Sequence, residues 1–497
     1  MDEKPTILFI ALIPRDYSPY YAKTYGMERS FDLMPHKYAI LTLVSWLREN
    51  GCEGHYVWVD EPDEEGLGTI DKAIELCNPN ALGFSLTTEE IAPHYRLIEL
   101  LKQRHPDLPA IVGGPHVTAE PVRSLELFPL VDFVAVGEGE RTLTELLHRI
   151  AAGHGDDELT SNRGIGFRDS SGKIVITAPR QKISDINILP DPAYDLIAES
   201  DEPADRRSAF PIICSYGCYF FCSFCSVEHG NYRCVAPERV VDRIYQAQRH
   251  YGIEYFAIRD SFWPPTREWL DRFCSEVEKR KLKIQFHFQT RAGTLTDEHM
   301  KRLKKIGAQA IGIGVEAGDP AILKSIRKGI TVTMARRTVA ALNQAGIFSI
   351  TFFIFGNKGE NRGTIQASVD LAREMNPSMS LFHVLSPLPG AEAFKSVPDD
   401  RKDWWQNSIS MPPSICDLSP EELGHLASEA FLRYPLRWSY FRQHVVGARL
   451  SPDFRRIARR IFFVHLRKYV LGISERYGPA RILIRWVKSI LRRSGSC

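Results

Sequence analysis

Three cysteines, Cys218, Cys222 and Cys225, fall within the stretch Gly217-Cys218-Tyr219-Phe220-Phe221-Cys222-Ser223-Phe224-Cys225. The Cys-x-x-x-Cys-x-x-Cys spacing places three thiols on one short loop. Three thiolates hold three irons of a four-iron, four-sulfur (4Fe-4S) cluster, where a closed site would use four. One iron then stays open to another ligand. Zinc is the plain alternative, but it is usually held by paired Cys-x-x-Cys knuckles or Cys/His sets, and no second knuckle follows at zinc-ribbon distance. Cys214 and Cys234 flank the triad. Either could supply a fourth ligand and turn the cluster into a structural one.

An open iron is what S-adenosylmethionine (SAM) needs, because its amino and carboxylate groups can chelate the metal while an electron cleaves the sulfonium. The product is a 5'-deoxyadenosyl radical, a strong hydrogen abstractor. Phe224, between the last two cysteines, suits stacking on the adenine. Tyr219, Phe220 and Phe221 are expected to pack around the cluster and shield it from solvent, which helps set its potential.

At 497 residues, with 44% hydrophobic and 25% charged side chains, the chain reads as an ordinary globular protein of two to four domains. Ten cysteines grouped around one motif, with no apolar leader ahead of them, predict a reducing cytoplasm and no disulfide framework. No apolar run reaches the roughly 18 residues of a membrane span. The net charge of +2 hides an asymmetry: from Arg433 to Arg493 sixteen Lys and Arg face only Asp453 and Glu475. A basic tail follows a neutral to acidic body.

Residues 1–150 alternate strand and helix signals. Apolar strands are predicted at 6–13, 56–60, 81–86, 110–114 and 133–137, with helices between them, such as the one from Tyr38 to Asn50 that Gly51 ends. This describes a doubly wound, Rossmann-like α/β domain, whose ligands bind beyond the carboxyl ends of its strands. The loops there carry Ser85 and Thr87, then Gly113, Gly114 and His116, then Gly137 and Glu138. Glycines let a bulky ligand approach the backbone. Residues 151–205 read as a connector with a small hairpin around Ser171-Gly172. Over 206–395, six strands at 212–214, 255–259, 284–288, 310–315, 349–354 and 380–384 alternate with helices and predict a partial (β/α)6 barrel with its chemistry at the strand ends. The triad lies just after the first. Residues 396–497 form the basic helical C-terminal region.

With these segments in order, residues 5 to about 395 resemble the cobalamin-binding radical SAM enzymes. Gly113-Gly114-Pro115-His116 and Val136-Gly137-Glu138-Gly139-Glu140 look like that family's cobalamin-domain signature. Asp260-Ser261-Phe262, Thr290-Arg291, Gly314-Val315-Glu316-Ala317-Gly318 and Phe355-Gly356-Asn357-Lys358-Gly359-Glu360 sit where the family carries its SAM-binding strand ends, and Pro387-Leu388-Pro389-Gly390 resembles its closing motif. Departures stand at Lys358, where proline is frequent, at Ala391, where threonine is, and at Cys234, where a basic residue is expected. No Asp-x-His-x-x-Gly motif offers cobalt a histidine.

The resemblance implies 4Fe-4S, SAM and cobalamin as cofactors, with Cys218, Cys222 and Cys225 as the iron ligands. Cobalamin would contact Ser85, Thr87, Gly113, Gly114, His116, Gly137 and Glu138, while SAM would be held by Phe224, Asp260, Arg291, Glu316 and Gly356. Each side chain also has a plainer reading: Glu316 as a solvated or paired loop carboxylate, Arg291 as the partner of a nearby aspartate, His116 as a structural histidine. The implied activity is functionalisation of an unactivated carbon, methylation first, radical cyclisation or oxidation as alternatives, on a small-molecule or lipid-like substrate. A reducing donor such as flavodoxin or ferredoxin would supply electrons. A non-catalytic cobalamin sensor with a structural cluster is the rival.

For the tail, Ile457, Ile461, Phe462, Val464 and Leu471 lie among Arg455, Arg456, Arg459, Arg460, Arg467 and Lys468, and a second such run spans Ile482 to Leu491. Cationic amphipathic helices of this kind suit peripheral contact with an anionic membrane. Packing on the acidic body is the plainer reading, and nucleic acid is the least favoured partner.

Overall fold

The strand β1 (Thr6–Leu12) is buried at every position, as an uninterrupted apolar run must be when both faces of a parallel sheet are covered. The computed structural model describes residues 4–13, 38–198, 209–406 and 412–477, with residues 470–477 described by backbone alone. In it β1 pairs in parallel with β2 (Glu53–Val59) and β3 (Ala81–Ser85), and β4 (Ala110–Gly113) and β5 (Phe133–Ala135) extend the sheet. The order β2-β1-β3-β4-β5 is a doubly wound one whose switch point lies between β1 and β3. Alternation along β1 feeds two cores. Ile7 and Phe9 pack with the helices Tyr38–Glu49 and Gly139–Ala151, whereas Leu8 and Ile10 pack with Glu64–Cys77 and Ile91–Arg104.

The predicted hairpin exists, as β6 (Ile165–Arg168) and β7 (Ile174–Ile176), but it is not part of a free connector. It pairs antiparallel with β5 and completes a seven-stranded sheet. An uncovered β5 would present unpaired backbone groups, and the hairpin covers that edge.

The second sheet begins with β8 (Phe210–Ile212). A two-residue ladder follows, in which β9 (Ser215–Tyr216) pairs antiparallel with β10 (Arg233–Cys234). Then β11 (Tyr255–Ile258), β12 (Gln285–Arg291), β13 (Ala308–Glu316), β14 (Phe348–Phe355) and β15 (Met379–Val384) run parallel in the order β15-β14-β13-β12-β11-β8. Each of the six predicted barrel strands has a counterpart, the first shifted from 212–214 to Phe210–Ile212, and the sheet stays open between β15 and β8.

The helix Pro452–Tyr477 follows the barrel. Its apolar residues Ile457, Ile461 and Phe462 are buried in the barrel's core, so the stripe expected to face a membrane is spent on packing. Burying those side chains against the barrel removes the same apolar area from water that insertion into lipid would. The second run, Ile482 to Leu491, lies outside the described residues. Among the described residues no helix is long and apolar enough to cross a membrane.

Candidate functional site

The triad loop is held by backbone hydrogen bonds to three separate segments. Cys218 donates its amide to Glu228 O and accepts from Gly230 N, both at 2.9 Å, while Ser223 donates to Ile326 O at 3.0 Å and accepts from Ala393 N at 2.8 Å. Cys222 is buried and Cys218 and Cys225 are half-buried. Burial pushes the Cys222 thiol up, opposed by the cations Lys328 and Arg291. Among the described residues no set of three His, Cys, Asp or Glu closes around a single metal ion. A cluster asks for less convergence, because its irons separate the thiolates more widely than one shared ion would.

The donors facing this loop test whether an anionic cluster and a carboxylate-bearing ligand fit. Arg291 ends β12, is 8% exposed, and lies over Phe220 with its guanidinium carbon 3.2 Å from the ring centroid. Its Nε and Nη1 are buried without a hydrogen-bond partner. Burial lowers its pKa, opposed by Cys222, Cys218 and Glu316. A buried guanidinium with unmet donors costs free energy unless an anion completes it. The aspartate partner considered from sequence is absent among the described residues. Cluster thiolates and a ligand carboxylate have the charge and acceptors this arginine lacks, so the residues present fit the group.

Glu316 sits at the end of β13 with φ +69°, after an irregularity in the ladder between Gly314 and Glu316. Such a backbone costs about 1–3 kcal/mol in a non-glycine residue. The turn aims the carboxylate at Lys328, whose Nζ donates to Glu316 Oε1 at 2.6 Å, both side chains being buried. Gly314 makes room for the pair, since a Cβ there would lie 2.5 Å from Glu316 Oε1 and 2.7 Å from Lys328 Nζ. Lys328 also lies 5.5 Å from the centre of the Phe224 ring. Arg291, Glu316, Phe224 and the triad therefore converge. Sequence reasoning missed Lys328, for which no local pattern gives a signal.

Two other predicted SAM contacts are occupied by the protein itself. Asp260 accepts the Cys214 amide at 2.7 Å and the Ser215 hydroxyl at 2.5 Å. Burial raises its pKa to about 7, against those hydrogen bonds. It orders the approach to the triad loop. Gly356 donates its amide to Glu360 at 2.8 Å within a turn closed by that buried carboxylate. Cys214 lies in the apolar core, with Cys234 and Asp260 beside it, and burial pushes its thiol well above the usual range. Of the aromatics, Phe220 meets Phe262 edge-on and Tyr219 stacks on Tyr232 at 4.2 Å, but Phe221 is exposed and does not shield the loop.

A second site lies between the domains. A cleft of about 220 Å³, open to solvent, is lined by Ser85, Gly113, Gly114, Gly137 and Glu138 from the first sheet's strand ends and by Ile213 and Tyr216 from the start of the barrel. Its floor is β1 and β3, at the switch point. Gly83 is on that floor, and a Cβ there would lie 2.7 Å from the Phe9 ring and 2.8 Å from Ile7. The space over Gly83 is filled by Phe9 and Ile7, but the glycine-lined strand ends, with open space around Gly137, let a large ligand approach the backbone, so cobalamin fits there. Two predicted contacts do not line this cleft. Thr87 turns outward and bonds Glu90. His116 is buried against Trp405 at 4.2 Å, with Thr88 Oγ1 3.1 Å from its Nδ1, and burial lowers its pKa to about 4. Trp405, from the segment after the barrel, packs into the first domain's core and claims that histidine.

A triad loop faced by cationic and aromatic side chains, next to a glycine-lined cleft shared by two α/β domains, defines an enzyme that uses an iron–sulfur cluster and a large second cofactor. Residues 212–372 match the radical SAM superfamily and residues 29–147 the B12 binding domain. The chain belongs to the cobalamin-binding radical SAM enzymes.

It is 26% identical over 376 residues to an uncharacterized methyltransferase of Pyrococcus horikoshii, covering 74% of this chain and 81% of that one. It is 28% identical over 339 residues to an anaerobic magnesium-protoporphyrin IX monomethyl ester cyclase of Rubrivivax gelatinosus, covering 66% of this chain and 60% of the cyclase. The fold is similar to that of OxsB, a cobalamin-dependent SAM radical enzyme solved with aqua-cobalamin and SAM, with a TM-score of 0.69 at 17% identity over 99% of this chain and 76% of that one.

Proposed function

We propose that this enzyme transfers a methyl group to an unactivated carbon of a small-molecule substrate, with electrons from a flavodoxin- or ferredoxin-type donor. The observation that carries the reading is the shared cleft: its walls come from both domains, and Tyr216 on its rim lies two residues from Cys218. When bound, a SAM-ligated cluster supplies one-electron sulfonium cleavage, and cobalamin supplies a transferable methyl group. The protein's part is placement. Arg291 neutralises negative charge beside Cys218 and Cys222, the Glu316–Lys328 pair offers an acceptor and a donor for a zwitterionic ligand, and Phe220 against the buried Phe262 forms an aromatic wall that limits water. The methyltransferase relative favours this reading, and the cyclase relative keeps radical cyclisation as the alternative.

The test is anaerobic reconstitution with iron, sulfide and hydroxocobalamin, removal of free cofactor, then SAM under reduction. Retained cobalamin with formation of both 5'-deoxyadenosine and S-adenosylhomocysteine is the expected result. Deoxyadenosine without S-adenosylhomocysteine argues for the cyclase-type alternative, and a stable cluster with no SAM cleavage argues for a sensor.

Peripheral membrane contact belongs to the same proposal, on a surface different from the one expected. Trp438, Val446 and Phe463 are 57%, 60% and 54% exposed. Ring contacts run from Trp438 through Phe441 and Phe462 to Phe463, and Arg459 donates to Val445 O at 2.9 Å. Helical spacing sets exposed Arg456, Arg459, Arg460 and Arg467 around Phe463. Aromatic tips rimmed by arginine suit an anionic lipid surface. Co-sedimentation with phosphatidylserine vesicles is expected at low salt, to weaken as salt rises and to fall in W438S/F463S. Equal binding to neutral vesicles, or none to anionic ones, removes this part of the reading.

A further inference from the structure

We propose that Glu138 and Arg233 form a latch between the cleft and the triad loop, so that cobalamin and the cluster each tighten the other's binding. The inference rests on the cofactor assignment above. Glu138 is on the cleft wall, in the loop after β5. Its Oε2 accepts the Ile183 amide at 3.0 Å, its Oε1 is paired with Arg233, and Arg233 Nη1 donates to Ile183 O at 2.5 Å. The three groups close a ring across the first domain, the connector and the barrel's opening ladder. The Arg233 side chain is 8% exposed and that of Glu138 27%, so the ion pair is partly shielded from solvent.

Two routes lead from that ring to Cys218. On β10, Arg233 lies directly opposite Tyr216 of β9, with its guanidinium carbon 5.8 Å from the Tyr216 ring centroid. Tyr216 lines the cleft and reaches Cys218 through Gly217 alone. The other route runs through the residue before Ile183: Lys182 is paired with Glu228, and Glu228 O accepts the Cys218 amide at 2.9 Å. A ligand seated against Glu138 and Tyr216 restrains the strand that presents the first cysteine, and a cluster on the cysteines restrains the cleft wall. Arg233 is a positioning residue, acting through Glu138 and Tyr216, which line the cleft.

Linkage requires the coupling to be reciprocal, and couplings between two sites typically amount to a factor of about 5–150. The full chain, with and without reconstituted cluster, is titrated anaerobically with hydroxocobalamin and followed by corrin absorbance. Wild-type protein is expected to bind cobalamin at least about 5-fold more tightly when the cluster is present. In R233M the ratio of the two affinities is expected to collapse towards one. A merely structural role would weaken both affinities alike and leave the ratio unchanged, which overturns the latch. So does equal affinity in the two wild-type states. K182M, which breaks only the partly exposed second route, is expected to reduce the ratio, and it serves if R233M does not fold; an unchanged ratio in K182M then counts against the latch. Wild-type protein that holds no cobalamin in either state defeats the cofactor assignment and the latch with it.

Discussion

Cys222→Ala is expected to abolish cluster assembly and reductive SAM cleavage, a loss exceeding the roughly 10–100-fold that an outer partner of a metal site is worth. Cys222 is the most buried of the three triad cysteines, and Arg291 and Lys328 oppose the effect of burial on its thiol. The two cations favour the thiolate, the form that binds metal, but burial outweighs them and holds the thiol above its ordinary range until iron binds. Removing it leaves two protein ligands on a loop still pinned through Ser223 to Ile326 and Ala393. The fold should therefore survive, and cobalamin should still bind, because none of the triad lines the cleft, but with the weaker affinity of the cluster-free protein. Iron content, visible absorbance and deoxyadenosine yield check this. Cys214→Ala and Cys234→Ala should keep cleavage, since these two sit together, Cys214 in the apolar core and Cys234 packed against it. Full iron loading in C222A, or its loss in C214A or C234A, would falsify the open-iron assignment.

Lys328→Met is expected to destabilise the barrel by about 3–5 kcal/mol, the typical cost of leaving one member of a buried pair without its partner. Glu316 would lose the donor that its carboxylate meets in this buried site. At about 2–4 °C per kcal/mol for a domain of 150–250 residues, the melting midpoint should fall by around ten degrees. Glu316→Gln in the same chain should recover much of that loss, because the neutral amide needs no counter-charge. SAM affinity, read by equilibrium binding to the reconstituted protein, should stay low in both variants. Additive losses in the double variant would show that the two side chains do not act as a pair.

Much of this molecule is legible along the chain. The β1 run, the six barrel strands and the helix closed by Gly51 announce themselves because burial on a strand or helix imposes a period that local sequence must keep. The loop functions are partly legible. Gly113, Gly114 and Gly137 line the cleft as expected, but Thr87 and His116, a few residues from true cleft residues, face elsewhere. Strand and helix periodicity says nothing about where a loop side chain turns. The tail shows the same limit. Its apolar stripe is plain in sequence, yet Ile457, Ile461 and Phe462 meet the barrel.

The sequence by itself determined the cysteine triad, the two strand–helix series and the placement of the chemistry at strand ends, because each depends on spacing along one segment. Tertiary structure alone decided the pairs that give the site its electrostatics. Glu316 meets Lys328 across twelve positions, and Glu138 meets Arg233 across ninety-five. Whether a carboxylate lies against a cation, a core or water depends on which distant segments the fold packs beside it, and local periodicity carries no record of that.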